Sequence, residues 1–278
     1  MPFVKMHGAG NDFVVVDCLK GDPVDDWSGF ARHALDRHFG VGGDQLLLVR
    51  PARDAGADFF MGILNADGSS AEMCGNGIRA FLKYVRDRGL TDRDEIRVDT
   101  LAGTVRPRWL GDGRVEIDMT RPVLEPRKIP VELAGDAPLV DAPLEVDGES
   151  LRICAVSMGN PHCVIFVDDP ESFPVERVGP RIEHHPAFPQ RTNVEFVGVR
   201  SRTRLTPRTW ERGAGETLAC GSGACAVGVA AVLSGRADRE LEIELRGGAI
   251  SIRWPDDDGP VWMTGPADSV FEGELWYP

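Results

Sequence analysis

Two short stretches share a pattern that chemistry can use: Cys74-Gly75-Asn76-Gly77 and Cys220-Gly221-Ser222-Gly223, each a cysteine ahead of a glycine-rich turn that opens a helical segment. The first-turn N–H groups of a helix have no internal partner and sit at the positive end of its dipole, so carboxylates and thiolates are stabilised there. A cysteine so placed has its pKa lowered. Glycine at these positions removes the Cβ that would hold a ligand off the backbone. One such turn carries little weight, since free cysteine is usually a small buried hydrophobe. Two of them in corresponding places point to a reaction that needs two equivalent groups. Inversion of a stereocentre by proton transfer is such a reaction: a thiolate removes the proton from one face of a carbon while a thiol supplies another to the opposite face. Charge spreading onto an adjacent carboxylate would be stabilised by two helix N-termini. Such a scheme calls for no metal and no cofactor.

Other polar residues suited to this chemistry lie in or beside expected strand ends and turns. They are Asn11, Asn65, Asn76, Asn160 and Asn193, with Gln45 after Gly42-Gly43-Asp44 and the pair Glu211-Arg212 before Gly213. Singly, each has a plain structural explanation: Asn65 can begin the Ala66-Asp67-Gly68 turn, and Gln45 can cap a strand. Glu211-Arg212 is the stronger candidate, because Arg grips a carboxylate bidentately and Glu binds an ammonium, against the alternative of a surface ion pair. His162, directly after Asn160-Pro161, is either a turn histidine or a group that sets the protonation of a nearby thiol; spacing does not choose.

The elements that must position these residues are mostly strands. Short β-rich runs occur at 13–16, 45–49, 59–64, 115–119, 164–167, 193–197 and 241–245. Helical patterns are scarcer. Ile78, Phe81, Leu82 and Val85 fall at i, i+3, i+4, i+7 before Gly89, which predicts an amphipathic helix after Cys74. Ala224 to Leu233 is apolar on nearly every side and closes at Gly235, which predicts a helix surrounded by protein.

The two cysteine motifs lie roughly 146 residues apart, and Gly10-Asn11-Asp12-Phe13-Val14-Val15-Val16-Asp17 resembles Gly159-Asn160-Pro161-His162-Cys163-Val164-Ile165-Phe166-Val167-Asp168 at a similar offset. Two like domains follow, with a seam near Arg121 in the proline-rich stretch that runs to Pro143 and a ligand site expected in the cleft between them.

A chain of 278 residues, 42% hydrophobic, can bury a sizeable core. Its formal charge of −13, from 31 Lys and Arg against 44 Asp and Glu, disfavours nucleic acid and anionic membrane as partners. An anionic metabolite would need local donors to hold it against that field. The chain has neither a long apolar run nor the pattern of a signal peptide, so a cytoplasmic protein with six free thiols is expected.

At Met73-Cys74-Gly75-Asn76-Gly77-Ile78-Arg79 and Thr217-Leu218-Ala219-Cys220-Gly221-Ser222-Gly223-Ala224 the sequence closely resembles the diaminopimelate epimerase family. The likeness spans the chain. It also takes in His7 to Phe13, Gly40 to Gln45, Asn65 to Gly68, Gly159 to His162, Arg191 to Glu195 and Trp210 to Thr217. The resemblance implies cofactor-independent interconversion of LL- and meso-diaminopimelate in lysine and cell-wall biosynthesis by a cytoplasmic homodimer. It implies an α/β fold of two pseudo-symmetric halves, each a strand-rich sheet or barrel wrapped around a central helix. Because the last residues return to the first half in this family, residues 1–120 with 266–278 are assigned to one half and 121–265 to the other.

Carried over by position, Cys74 and Cys220 match the acid–base pair, and Gly75, Asn76, Gly221 and Ser222 match the turns that grip the reacting α-carboxylate. Asn11, Gln45, Asn65, Asn160, Asn193, Glu211 and Arg212 match residues that hold the amino groups and the distal carboxylate. His162 and Glu211 match positions thought to adjust the cysteine pKa values. Phe271 departs from the tyrosine that many members carry at the dimer contact.

Proline racemase relatives also use two cysteines, but they typically have His after the first Cys-Gly, where this chain has Asn76. A zinc or redox protein is disfavoured because Cys220 and Cys225 would lie on different faces of one helix. A silent binding protein is disfavoured by the presence of both cysteines.

Overall fold

A computed structural model describes residues 1–277. The chain forms two compact units, one of Met1–Asp118 with the segment from Thr264 onward, the other of Met119–Met263. The first contains β1 (Pro2–Gly8), β2 (Asn11–Asp17), α1 (Trp27–Leu35), β3 (Gln45–Pro51), β4 (Phe59–Asn65), α2 (Gly75–Asp87), β5 (Val98–Thr100), β6 (Gly103–Val105), β7 (Arg108–Trp109) and β8 (Arg114–Asp118). The second contains β9 (Ala142–Val146), β10 (Glu149–Ser157), β11 (Pro161–Phe166), α3 (Val175–Glu183), β12 (Asn193–Ser201), β13 (Arg204–Glu211), β14 (Gly215–Thr217), α4 (Gly221–Leu233), β15 (Glu240–Leu245) and β16 (Gly248–Arg253). In sequence, β17 (Trp262–Pro266) crosses the boundary, and β18 (Asp268–Glu274) then pairs antiparallel with β1.

The sheet of the first unit runs β18-β1-β2-β3-β4-β5-β6. Its β2–β3 and β4–β5 pairs are parallel, and parallel neighbours need a crossover, which α1 and α2 supply. Val14, Val16, Leu46 and Leu48 pack with Phe30, Ala31, Ala34 and Leu35 of α1. The alternating residues face the other way, where Leu47 Cδ2 lies 3.3 Å from the place a Cβ on Gly77 of α2 would occupy. With both faces covered, β2 and β3 read as continuous apolar runs, not as alternation. In α2, Ile78, Phe81, Leu82 and Val85 are all fully buried, and Gly89 ends the helix at φ +65°.

The second unit repeats this order of elements. A hairpin β10–β11 is followed by α3 and the parallel strand β12, then by antiparallel β13, α4 and the parallel strand β15. The sheet path is β16-β15-β13-β12-β11-β10-β9, with β14 paired to β13. Helix α4 touches β10, β11, β12, β13, β15 and β16, and every residue from Gly223 to Ala231 is buried. That surround is why its sequence shows no polar stripe. Gly235 closes it at φ +70°.

The mixed α/β class and the two expected helices are found, and each helix lies against the sheet of its own unit. Two further helices, α1 and α3, carry weaker signals. In α1 only nine residues are helical, opened by an Asp26 side chain that accepts from Gly29 N–H, and α3 has Pro174 at its start and Pro180 inside it. No helix of the described residues is long and apolar enough to cross a membrane.

Candidate active site

In the first unit, the parallel strands β2 and β3 begin at the end of the sheet where antiparallel β4 finishes. The register pairs Phe13 with Gln45 and Gln45 with Asn65, which gathers Asn11, Gln45 and Asn65 at one edge. Gln45 Nε2 donates to Asn65 Oδ1 at 3.0 Å, and Gln45 Oε1 is buried without a partner. Asn11 Nδ2 donates to Asp44 Oδ2 at 2.8 Å, which turns the Asn11 carbonyl toward α2. There it accepts from Asn76 Nδ2 at 3.3 Å and from the Cys74 thiol at 3.5 Å.

Cys74 is the N-cap of α2 in extended conformation, half-buried, with Gly75 and Asn76 as the first two helical residues; its Sγ accepts from Gly77 N–H at 3.4 Å. The buried Arg79, one turn along, donates to Asn76 Oδ1 at 2.8 Å and fixes that amide. Behind this edge, Lys5 and Arg37 close on Asp12, and Arg37 also pairs with Asp44. Burial alone would raise the Asp12 carboxyl; hydrogen bonds from Arg37 and Lys5 more than reverse that and hold it well below the usual range.

The second unit builds a related edge with different chemistry. Cys220 is the N-cap of α4, Gly221 and Ser222 are its first helical residues, and the sulfur has no capping N–H in the manner of Cys74. It lies 3.6 Å from Ser222 Oγ, which accepts from Asn160 Nδ2 at 3.3 Å. Asn160 Oδ1 meets His162 Nε2 at 3.0 Å, and His162 Nδ1 meets Glu195 Oε1 at 2.7 Å. Contrary to the lowering expected of a cysteine at a helix N-terminus, Cys220 is buried, and burial first, then the carboxylates of Glu211 and Glu195, push its thiol well above the ordinary value. The nearby Ser222 hydroxyl and Gly223 N–H pull the other way without reversing it. Burial also raises the Glu211 carboxyl against hydrogen bonds from Thr217 and Cys220.

Asn193 is buried and ties the start of β11 to the turn after β13, donating to Pro161 O at 2.9 Å and accepting Arg212 N–H at 3.0 Å. Glu211 and Arg212 turn to different partners: Glu211 takes the Thr217 hydroxyl, while the exposed Arg212 donates to Gln190 O at 3.1 Å. Glu183, at the end of α3, holds the turn by accepting from Trp210 Nε1 at 2.8 Å and Gly213 N–H at 3.0 Å.

Each unit therefore gathers its own candidates: Asn11, Cys74 and Asn76 with Gln45 and Asn65 nearby in one, and Asn160, His162, Ser222, Cys220 and Glu211 with Asn193 and Arg212 in the other. Sequence reasoning passed over Asp44, Arg79, Glu183 and Glu195 as members of these networks. A signal existed for Glu195: a carboxylate inside an apolar strand, two residues from Asn193 and so on the same face. Arg79 likewise stands among the apolar positions of α2.

A family profile described as diaminopimelate epimerase matches residues 3–125 and 154–270. Proteins named diaminopimelate epimerase from Moorella thermoacetica and Desulfitobacterium hafniense are 50% and 51% identical to the chain; the first alignment covers 99% of both proteins, the second 99% of this chain and 98% of the relative. Among solved structures, a Bacillus anthracis phenazine biosynthesis protein of the PhzF family matches with a TM-score of 0.73 at 17% identity, covering 100% of this chain and 99% of the other. A hydroxyproline epimerase from Agrobacterium vitis matches at 0.69 and 16%, covering 98% and 91%. At such identities these structures share the fold and carry no argument about substrate.

Proposed function

This chain belongs to the diaminopimelate epimerase family and is an isomerase of amino-acid biosynthesis, and from that premise we propose how its residues interconvert LL- and meso-diaminopimelate. Cys74 and Cys220 are the two proton carriers at one α-carbon: one thiolate removes the proton from one face, and one thiol returns a proton to the other. The observation that carries this reading is the matched placement of two thiols, each the N-cap of a helix whose opening residues are Gly-x-Gly.

The free first-turn N–H groups at Gly75, Asn76, Gly221 and Ser222 take the substrate α-carboxylate and the charge that builds on it during proton transfer. Gln45 Oε1, an acceptor without a partner, suits an ammonium. Asn11, Asn65, Asn160, Asn193, Glu211 and Arg212 complete the recognition of a substrate with an amino-acid head at each end, Arg212 through the bidentate geometry that a carboxylate matches. Burial and two carboxylates favour the protonated form of Cys220, and the two cysteines exchange the roles of acid and base when the direction reverses. His162 and Glu211 adjust the Cys220 proton.

The chemistry uses side chains and backbone alone, without cofactor or metal, and it needs reduced thiols, which favours the cytoplasm. A homodimer belongs to the same reading, with no nucleic acid or membrane partner.

Substitution tests the two-thiol scheme. Cys74→Ala and Cys220→Ala should each lower kcat for epimerisation by roughly 10²- to 10⁴-fold while far-UV circular dichroism stays as in the parent. Undiminished turnover in either variant rejects it.

A further inference from the structure

We propose that Glu195 is a positioning residue of this reaction: it fixes the Nδ1 proton of His162 and thereby sets the polarity of a hydrogen-bond chain that ends at Cys220. The chain runs Glu195 Oε1 to His162 Nδ1 at 2.7 Å, His162 Nε2 to Asn160 Oδ1 at 3.0 Å, Asn160 Nδ2 to Ser222 Oγ at 3.3 Å and Ser222 Oγ to Cys220 Sγ at 3.6 Å.

The fold builds this arrangement deliberately from two elements. Parallel β11 and β12 set Val164 opposite Glu195 and His162 opposite Asn193, so Glu195 and Asn193 share the face on which His162 is met. Val194 and Phe196 point to the other face, into the core. Overhead, Gly223 lets α4 descend: a Cβ there would sit 2.7 Å from Glu195 Oε1 and 3.3 Å from Cys220 Sγ. A carboxylate with both side chains of its pair at 0% exposure is costly to bury, and its second oxygen, Oε2, has no hydrogen-bond partner. Packing alone would favour an apolar side chain at that site, so the carboxylate answers to His162.

An ionised carboxylate accepts only, which commits Nδ1 to carrying a proton. Nε2 then faces Asn160, whose amide presents its carbonyl when Nε2 is protonated and its NH2 when Nε2 is bare. Ser222 follows, either donating toward Cys220 or accepting from it. The proton on the imidazole is thus matched to the proton on the thiol. The other titratable group facing this cluster is Glu211, beside Cys220; Cys163 on β11 lies on the opposite face, in the core with Val194, where burial first, then Glu195, drives its thiol up.

The proposal rests on the epimerase reading, and its test has one arm that does not. In ¹⁵N NMR of the unmodified protein, His162 should show a protonated Nδ1 throughout the active pH range. In the second arm, Glu195→Gln should lower kcat for diaminopimelate roughly 10- to 100-fold with KM within about twofold, and should move both the pH–rate profile and the iodoacetamide alkylation of Cys220 to lower pH, since one carboxylate near the thiol is gone. A His162 whose bare nitrogen is Nδ1 overturns the proposal even if the variant fails to fold. So does a folded Glu195→Gln with unchanged kcat and an unchanged alkylation profile. Failure of the epimerase reading would instead abolish turnover on diaminopimelate in the parent and leave the NMR result standing.

Discussion

At the scale of single residues, the two thiols stand in unlike surroundings. Cys74 is half-buried, caps its helix through Gly77 N–H and offers its proton to Asn11 Oδ1. Cys220 is buried beside two carboxylates and does not cap through its sulfur. Because the folded-state pKa of Cys220 is raised, the folded protein keeps this proton where the unfolded chain has lost it. The stabilisation is fully present below the unfolded thiol value of about 8.5 and is lost as pH rises above it. Other buried groups share the trend, Cys18 among them, pushed up to about 12 chiefly by desolvation. The contribution of Cys220 is therefore read by difference: between pH 8 and pH 10 the urea midpoint of the parent should fall further than that of Cys220→Ala. Equal falls would mean that Cys220 titrates as an ordinary thiol.

At the scale of elements, glycines of the same type do different work. Gly223 makes room for Glu195 and the Cys220 sulfur under the first turn of α4, whereas Gly89 meets nothing within 4 Å and serves only to end α2 at φ +65°. Gly223→Ala should cost about 1–3 kcal/mol from overpacking and reduce kcat at least tenfold. Gly89→Ala should cost about 1 kcal/mol and leave kcat unchanged. Denaturant midpoints beside steady-state rates separate the two, and matching kinetic losses would contradict the division of labour.

The elements that sequence revealed are those whose burial pattern is local: the stripe of α2, the all-apolar α4 and the continuous strands β2, β3 and β12. The crossover helices α1 and α3 were hidden because each is short and is stabilised by its sheet more than by its own pattern. The site was legible where chemistry repeats, at Cys74 and Cys220. It was illegible where a side chain acts through another, as Asp44 does through Asn11 and Glu195 through His162, because such pairs are brought together by strand register across long separations in sequence.

At the scale of the whole molecule, the repeated order of elements gives each unit one N-cap cysteine, Cys74 in the first and Cys220 in the second. The first unit also ends its sheet in β18, where Val270 and Phe271 are 55% and 49% exposed and Phe271 meets Phe3 edge-on at 5.8 Å. An exposed apolar edge strand invites pairing, which fits the homodimer proposed above. Sedimentation should give a dimer for the parent and a monomer for Phe271→Asp; a monomeric parent would remove the dimer from the account. The central claim, that two thiols address one carbon, is tested by running the reaction on LL-diaminopimelate in deuterium oxide and following the α-position by mass and NMR. Two carriers predict that meso product acquires one α-deuterium from its first turnovers while recovered LL-diaminopimelate stays almost free of it. Deuterium entering recovered substrate as fast as product, or product that keeps its original α-proton, would contradict it.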